Sequence, residues 1–416
     1  MPPLSPNLSQ AISAVVREEW GRILSVLVGQ LGSFDLAEDC LQDAVVRAMK
    51  TWPDTGLPKS PTAWLLTTAR RRAIDQLRRQ KTFAQKQGEI GYLMDLEKSA
   101  PEDAGNDVVP DDRLRMIFTC CHPAIEEKAR VALTLRTLGG LTTDQIAAAF
   151  LDRPDAMAQR LVRAKKKIRL AGIAYKIPEP DDLGDRLSSV LRVLYLIFNE
   201  GYAARSGDQS VRADLSDEAI RLARILRHLM PEQPEVEGLL ALMLLHDSRR
   251  HTRTDRDGRM VALEDQNRAR WDRAKIREGI AILKRCLPQS GIGPYQLQAA
   301  ISAVHAESAT WEATDWAQIV GLYQLLHHLT PTPVVGLNLA IALSYAETPA
   351  AGLKALSSIG SEGLDTYQPY HAARADLLAR NGQRGDAITA YGRAMELSGN
   401  REEAAFLRER MRRLMD

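Results

Sequence analysis

Two adjacent cysteines, a histidine and a proline stand together in 118-FTCCHPAI-125, in a chain of 416 residues that has four cysteines in all. Thiolates and imidazoles bind soft metals or exchange electrons, so Cys120, Cys121 and His122 pose a choice between a metal site, a redox switch and packing. Spacing argues against metal, because closed zinc sites usually separate paired ligands by about two to four residues. No second Cys/His pair lies nearby, and Cys40 and Cys286 each fit an apolar helical stripe. Neighbouring cysteines rarely bond each other, since the peptide between them resists disulfide geometry. The simplest expectation is that Pro123 opens a helix while Ile117, Phe118 and one cysteine pack on a core. A thiol-based redox input is the alternative.

A second group of ligand types, His246, His251, Asp255 and Asp257, lies in 246-HDSRRHTRTDRDGRMVALEDQNRARWD-272. It occupies a polar, glycine-containing stretch without helical spacing, which reads as a charged connecting loop rather than a metal site. Glu200 in 198-FNEGY-202 has no second acid, no Ser/His/Asp set and no phosphate loop around it, so the tract reads as a structural junction. No catalytic residue and no cofactor is expected.

Charge is the stronger signal. The net charge of +2 conceals six basic residues against one acidic between Arg70 and Lys81, and six against none between Arg160 and Arg169. Residues 83 to 112 carry two lysines against eight acids. Two basic helical segments separated by an acidic connector suit two anchors on a polyanion.

The elements that must position these charges can be read from periodicity. In 36-LAEDCLQDAVVRAMKTW-52, Ala37, Cys40, Leu41, Ala44, Val45, Ala48, Met49 and Trp52 form one buried stripe. Glu38, Asp39, Gln42, Asp43, Arg47 and Lys50 face the other way, and Pro53 is expected to stop the helix. A Pro/Gly loop bearing Lys59 follows, with Ser60 as N-cap and Pro61 at the first position of the next helix. That helix, 62-TAWLLTTARRRAIDQLRRQK-81, buries Leu66, Ala69, Ala73, Ile74 and Leu77 and presents Arg71, Arg72, Arg78 and Arg79. Further on, glycines 139 and 140 end one helix, and Thr142 with Gln145 forms a capping box for the next. The turn 151-LDRP-154 leads into 154-PDAMAQRLVRAKKKIR-169, where Met157, Leu161, Ala164 and Ile168 face inward. Gln159, Arg160, Arg163, Lys166 and Lys167 face outward. Helix, short turn and polar-faced second helix is the helix-turn-helix layout, whose second helix can enter a major groove. There Arg and Gln can pair with guanine or adenine edges, and lysines suit phosphates.

With these segments in hand, residues from about 10 to 172 resemble the extracytoplasmic-function class of bacterial RNA polymerase sigma factors. The resemblance rests on 37-AEDCLQDAVVRAM-49, 63-AWLLTTARRRAIDQLRR-79 and 141-LTTDQIAAAFLDRPDAMAQRLVRAKKKIR-169, in that order. The whole chain looks like the subgroup with a long TPR-like helical extension. The resemblance implies an all-α protein with domain 2 over 10–82, an acidic linker over 83–111, domain 4 over 112–175 and the extension over 181–416. It implies that Glu38, Asp39, Gln42 and Asp43 dock on the β′ clamp helices of core RNA polymerase. The loop with Lys59 and Ser60 would capture a flipped base of the −10 element, while Arg70, Arg71, Arg72, Arg78 and Arg79 hold strand phosphates. Gln159, Arg160, Arg163, Lys165, Lys166 and Lys167 would read the −35 duplex. The acidic linker would thread towards the RNA exit path. Arg71, where the family often has Asn, Asp155, where a small residue is common, and the turn LDRP depart from the family pattern and bear on which promoter is read.

Past Pro178 and Pro180 the chain turns helical again, with a repeat signal in 375-ADLLARNGQRGDAITAYGRAMELSGNREEA-404, where Gly382, Ala387, Tyr391 and Ala394 fall at TPR packing positions. Looser echoes occur in 217–246 and 338–356, and stacked pairs of this kind give a concave surface for a peptide or another domain. Composition agrees: 45% hydrophobic, 26% charged and only 5% aromatic, with no uninterrupted apolar run of ~18 residues. The N-terminal MPPLSPNLSQ lacks the features of a signal peptide, so a cytoplasmic protein without a membrane anchor is expected. The extension is expected to modulate the first half by intramolecular contact, in place of a separate anti-sigma partner. Two other readings compete: a helix-turn-helix regulator acting without polymerase, and an enzyme housed in the C-terminal half. The acidic face at 38–43 discriminates the first, for which it has no use.

Overall fold

The computed structural model describes residues 6–79, 110–150, 152–202, 209–255, 259–287, 291–359, 364–398 and 401–415. They form 18 α-helices and three short 3-10 turns, with one isolated bridge between Thr254 and Met260 in place of any strand among the described residues. Most of the acidic linker falls outside the described residues. The chain divides into two compact units, Met1–Ile197 and Phe198–Asp416. The division falls within a helix, later in the chain than the boundary near residue 181 read from the proline-rich stretch.

In the first unit, α1 (Pro6–Leu31), α2 (Phe34–Thr55) and α3 (Pro61–Arg79) pack on one another. Their shared core holds Ile23, Leu24, Leu27, Leu41, Trp52 and Leu65, each at most 1% exposed. The α2 stripe is buried as its 3.6-residue period requires, except that Val45 is half-buried and Met49 is 44% exposed. Pro53 does not stop α2. The helix runs on to Thr55 and ends at Gly56, whose φ of 78° lets its N–H reach Trp52 O. A proline in the last turn removes one donor but leaves the carbonyls ahead of it free to be capped from beyond.

The helices α4 (Pro110–Cys120), α5 (Glu127–Thr137), α6 (Thr143–Ala149) and α7 (Pro154–Leu170) follow, and both α4 and α5 pack against α1. Two glycines permit this approach. A Cβ on Gly21 would lie 2.6 Å from Leu138 O, and Gly140, at φ 67°, meets the Trp20 ring. Tyr175 Oη lies 2.7 Å from Ser25 O and 3.0 Å from Asp112 O, tying α1 to α4. The α6 capping box forms as expected: Gln145 N donates to Thr142 Oγ1 at 3.1 Å, and Thr142 N donates to Gln145 Oε1 at 2.8 Å. The first turns of α8 (Pro180–Tyr202) also belong to this unit, through Arg186 donating to Phe118 O and Ser189 to Cys121 O, both at 2.7 Å.

The second unit is a run of helix pairs. In order they are α9 (Gln209–Leu229), α10 (Pro234–Asp247), α11 (Arg273–Cys286), α12 (Pro294–Glu307), α13 (Trp316–Leu329), α14 (Pro333–Ala346), α15 (Pro349–Ser358), α16 (Gln368–Arg380), α17 (Arg384–Leu397) and α18 (Arg401–Met415). Each packs on the next, the TPR-like arrangement read from the sequence. The central run of α10, residues 238–245, is apolar all round and accordingly buried, with Leu239, Leu240, Ala241, Met243 and Leu244 at 0% exposure. At the repeat signal, Gly382 turns the chain at φ 77° while Ala387, Tyr391 and Ala394 pack in the core between α16, α17 and α18.

Candidate nucleic-acid interface

Helix α7 begins at Pro154, which needs no N–H there, and is held by Met157, Leu161, Ala164 and Ile168, all 7% exposed or less. Its opposite face is open: Gln159, Val162, Arg163, Lys166 and Lys167 are exposed. Two residues expected on that face point elsewhere. Arg160 is half-buried and donates to Asp152 Oδ2 at 2.7 Å, bracing the turn before the helix. This hydrogen bond holds the Asp152 carboxyl below its usual range. Lys165 reaches across to α2, donating to Glu38 Oε2 at 2.7 Å and Asp35 Oδ1 at 3.0 Å. Burial opposes its charge, but the two carboxylates outweigh it and raise the ammonium pKa.

Glu38 also departs from expectation. It is 6% exposed, and Arg136 from α5 pairs with it alongside Lys165. Arg136 in turn lies over the Trp20 ring, 5.9 Å from its centroid. One carboxylate expected to meet polymerase and one lysine expected to meet DNA therefore neutralise each other. Amphipathic spacing separates a helix's own inner and outer faces but carries no signal for a partner 127 residues away. Asp39, Gln42 and Asp43 remain exposed on α2.

Along α3, Arg71, Arg72 and Arg78 are exposed, and the Arg79 side chain lies outside the described residues. Arg72 donates to Asp43 Oδ2 at 2.6 Å, an exposed pair that joins the basic face to the acidic one. Arg70 is a correction to the phosphate-holding set: it is 7% exposed and its Nε donates to Gln30 at 3.1 Å, so it serves the packing of α1 on α3. Between α2 and α3, Lys59 is exposed, and Ser60 Oγ accepts from Ala63 N at 3.4 Å as the N-cap. The loop is flanked by Trp52 and Trp64, edge to face at 5.3 Å. Sequence reasoning passed over Trp64, and also Leu57 in the loop and Val46 on α2, exposed at 43% and 50%.

The cysteine pair carries no metal geometry. Both thiols are buried, Cys120 against Thr137 Oγ1 at 3.2 Å and Cys121 against Thr134 Oγ1 at 3.5 Å. Pro123 starts no helix. It sits in a turn closed by Ile125 N donating to His122 O, and α5 opens four residues later with Glu126 as its cap. In the second unit, His246 is half-buried beside Ser302 Oγ at 3.0 Å, Asp255 pairs with Arg259, and His251 is exposed. Asp257 lies outside the described residues, and among the described ones no three His, Cys, Asp or Glu side chains come together as a metal site. The 198–202 tract is a clamp, Phe198 stacking on Tyr202 at 5.3 Å and Arg253 lying 3.6 Å from the Tyr202 centroid.

Comparison with known proteins bears on this arrangement. Residues 15–83 match the sigma-70 region 2 model, and residues 186–287 match a family of unknown function, DUF6596. An uncharacterized protein, R00370, of Rhizobium meliloti is 43% identical over 387 residues, covering 92% of this chain and 91% of its own. The ECF RNA polymerase sigma factor SigK of Mycobacterium ulcerans is 26% identical over 36% of this chain and 78% of its own. Its counterpart from Mycobacterium sp. strain KMS is 27% identical over 33% of this chain and 70% of its own. The chain belongs to the sigma-70 family, among the extracytoplasmic-function sigma factors that carry a long C-terminal helical extension.

Proposed function

We propose that this protein binds core RNA polymerase in the cytoplasm and directs it to a specific set of promoters, with the C-terminal unit modulating that activity. The observation that carries the reading is the pairing, within one compact unit, of an exposed polar and basic face on α7 with an exposed acidic row on α2, Asp39 and Asp43 with the amide of Gln42 beside them. A DNA-binding helix alone does not need the acidic row, and a polymerase-binding surface alone does not need α7. In this reading α2 docks on the β′ clamp helices, and Lys59 with the Trp52–Trp64 flank receives a −10 base. Arg71, Arg72 and Arg78 hold strand phosphates. Gln159, Arg163, Lys166 and Lys167 meet the −35 duplex, in which Arg160 and Lys165 act only if their present carboxylate partners release them. Glu38 joins the polymerase contact only once Lys165 and Arg136 have left it.

Run-off transcription tests the reading. Purified protein added to core polymerase is expected to give discrete transcripts from a genomic fragment library. Duplex binding without transcripts from any fragment would make it instead a regulator that works without polymerase. Asp39→Arg and Asp43→Arg together should abolish transcription while leaving duplex binding intact.

A further inference from the structure

We propose that Val162 reads a thymine, its isopropyl group packing on the C5-methyl of that base in the major groove. The inference rests on α7 being the helix that enters the groove. Val162 is 64% exposed, whereas the four apolar residues of the α7 core stripe are 7% exposed or less, so it takes no part in holding the helix. A helical period of 3.6 residues places Val162 with Gln159, Arg163 and Lys166 at the outward centre of α7. A single exposed aliphatic side chain is ordinary on a protein surface, and position is what selects this one. It interrupts a face otherwise made of hydrogen-bond donors, and a β-branched residue is a poorer helix former than the Arg, Lys or Gln around it.

The chemistry of the groove supplies the match. Thymine alone presents a methyl group there, and an apolar side chain recognises it where donors and acceptors cannot. With Arg160 drawn back to Asp152, the central readers reduce to Gln159, Val162 and Arg163, with Lys166 nearer the phosphates. Leu170 is also exposed, at 70%, but closes the last turn beyond the basic block.

The test uses the full chain with core polymerase to enrich a duplex from a randomised library. Each thymine of the enriched duplex is then replaced in turn by deoxyuridine, which deletes only the methyl group. One replacement should weaken binding of the unaltered protein by about fourfold, the worth of one buried methyl group. Val162→Ala should lose that penalty at that position and keep every other. Alanine favours helix at an exposed site, so folding is preserved. Lys166→Ala should weaken all duplexes alike and leave the penalty in place. An unchanged uracil penalty in Val162→Ala, or an enriched site whose thymines are all insensitive to methyl deletion, overturns the assignment while α7 still binds DNA. Failure to enrich any duplex overturns the groove reading of α7 together with this one.

Discussion

Cys120 and Cys121 set their chemistry by where they point. Each thiol is sealed in the first unit against a threonine hydroxyl, and taking a thiolate out of water is costly, so burial pushes Cys121 up to about 11 and Cys120 higher still. Burial does the same to Cys40, also to about 11. Because the thiolate is the reactive species, iodoacetamide at about pH 8 should leave all three unlabelled in the native protein and label them fully in denaturant. Peptide mass mapping reads this directly, and rapid native labelling of Cys120 would restore a redox role. The same shifts have a sign in stability. Between the ordinary value of 9.0 and about 11 the native thiols keep protons that the unfolded chain gives up, so stability should fall as pH rises through that window. A urea midpoint higher at pH 10 than at pH 8 would contradict it. Cysteine's preference for apolar stripes made the packing role legible beforehand. That both thiols rather than one are buried depends on the turn at His122–Ile125, where Pro123 was read as a helix start because Pro favours N1 and turns alike.

At the scale of elements, the contact of α2 with α5 and α7 is carried by one buried carboxylate and two cations. Lys165→Met would leave Glu38, 6% exposed, with Arg136 as its one cation and the Gln42 amide at 3.4 Å. Removing one partner of a buried charge group costs up to about 3–5 kcal/mol when nothing remains, so with Arg136 in place a loss of roughly 1–3 kcal/mol is expected. Arg72→Ala breaks an ion pair whose side chains are 44% and 50% exposed, and should cost at most about 1 kcal/mol. Urea denaturation of both variants separates the cases, and equal losses would mean that the Glu38 cluster is solvated rather than sealed. Gly21→Ala probes the same packing without charge. Its Cβ would meet Leu138 O at 2.6 Å, backbone against backbone, so α1 must part from the end of α5 at a cost of about 1–3 kcal/mol. A neutral Gly21→Ala would show that the two do not pack as described. Helices, caps and inward faces were readable here because they depend on local period and local hydrogen bonds, as the Thr142–Gln145 box shows. The contacts of Glu38, Lys165 and Gly21 were not, since each is decided by a residue far along the chain. Met49 departs for a related reason, since a stripe says which face is apolar but not how far neighbouring helices cover it. Pro53, by contrast, is tolerated because it sits in the last turn, which Gly56 caps.

For the whole molecule, the position of the division decides how the C-terminal unit must be removed to learn what it does. A cut near residue 180 follows the proline-rich stretch and respects the composition of the sequence. It also discards Arg186 and Ser189, which supply the donors for Phe118 O and Cys121 O, and Arg192, which pairs with Glu127. Both carbonyls end α4 beside the buried cysteines, and a buried acceptor left without its donor costs about 1–3 kcal/mol. A chain ending at 179 should therefore melt well below one ending at Tyr202, which keeps those turns of α8. Hydrogen exchange in α4 and α5 should accelerate in the shorter chain only. Under the proposed function, a change in promoter output on cutting at 179 mixes any loss of modulation with damage to α4 and α5. The comparison that isolates the C-terminal unit is the full chain against residues 1–202, assayed by run-off transcription with core polymerase. If the extension modulates initiation, the 1–202 chain should bind core polymerase yet differ from the full chain in transcript yield. Equal yields, with α4 and α5 equally protected from exchange, would leave the extension without a part in initiation.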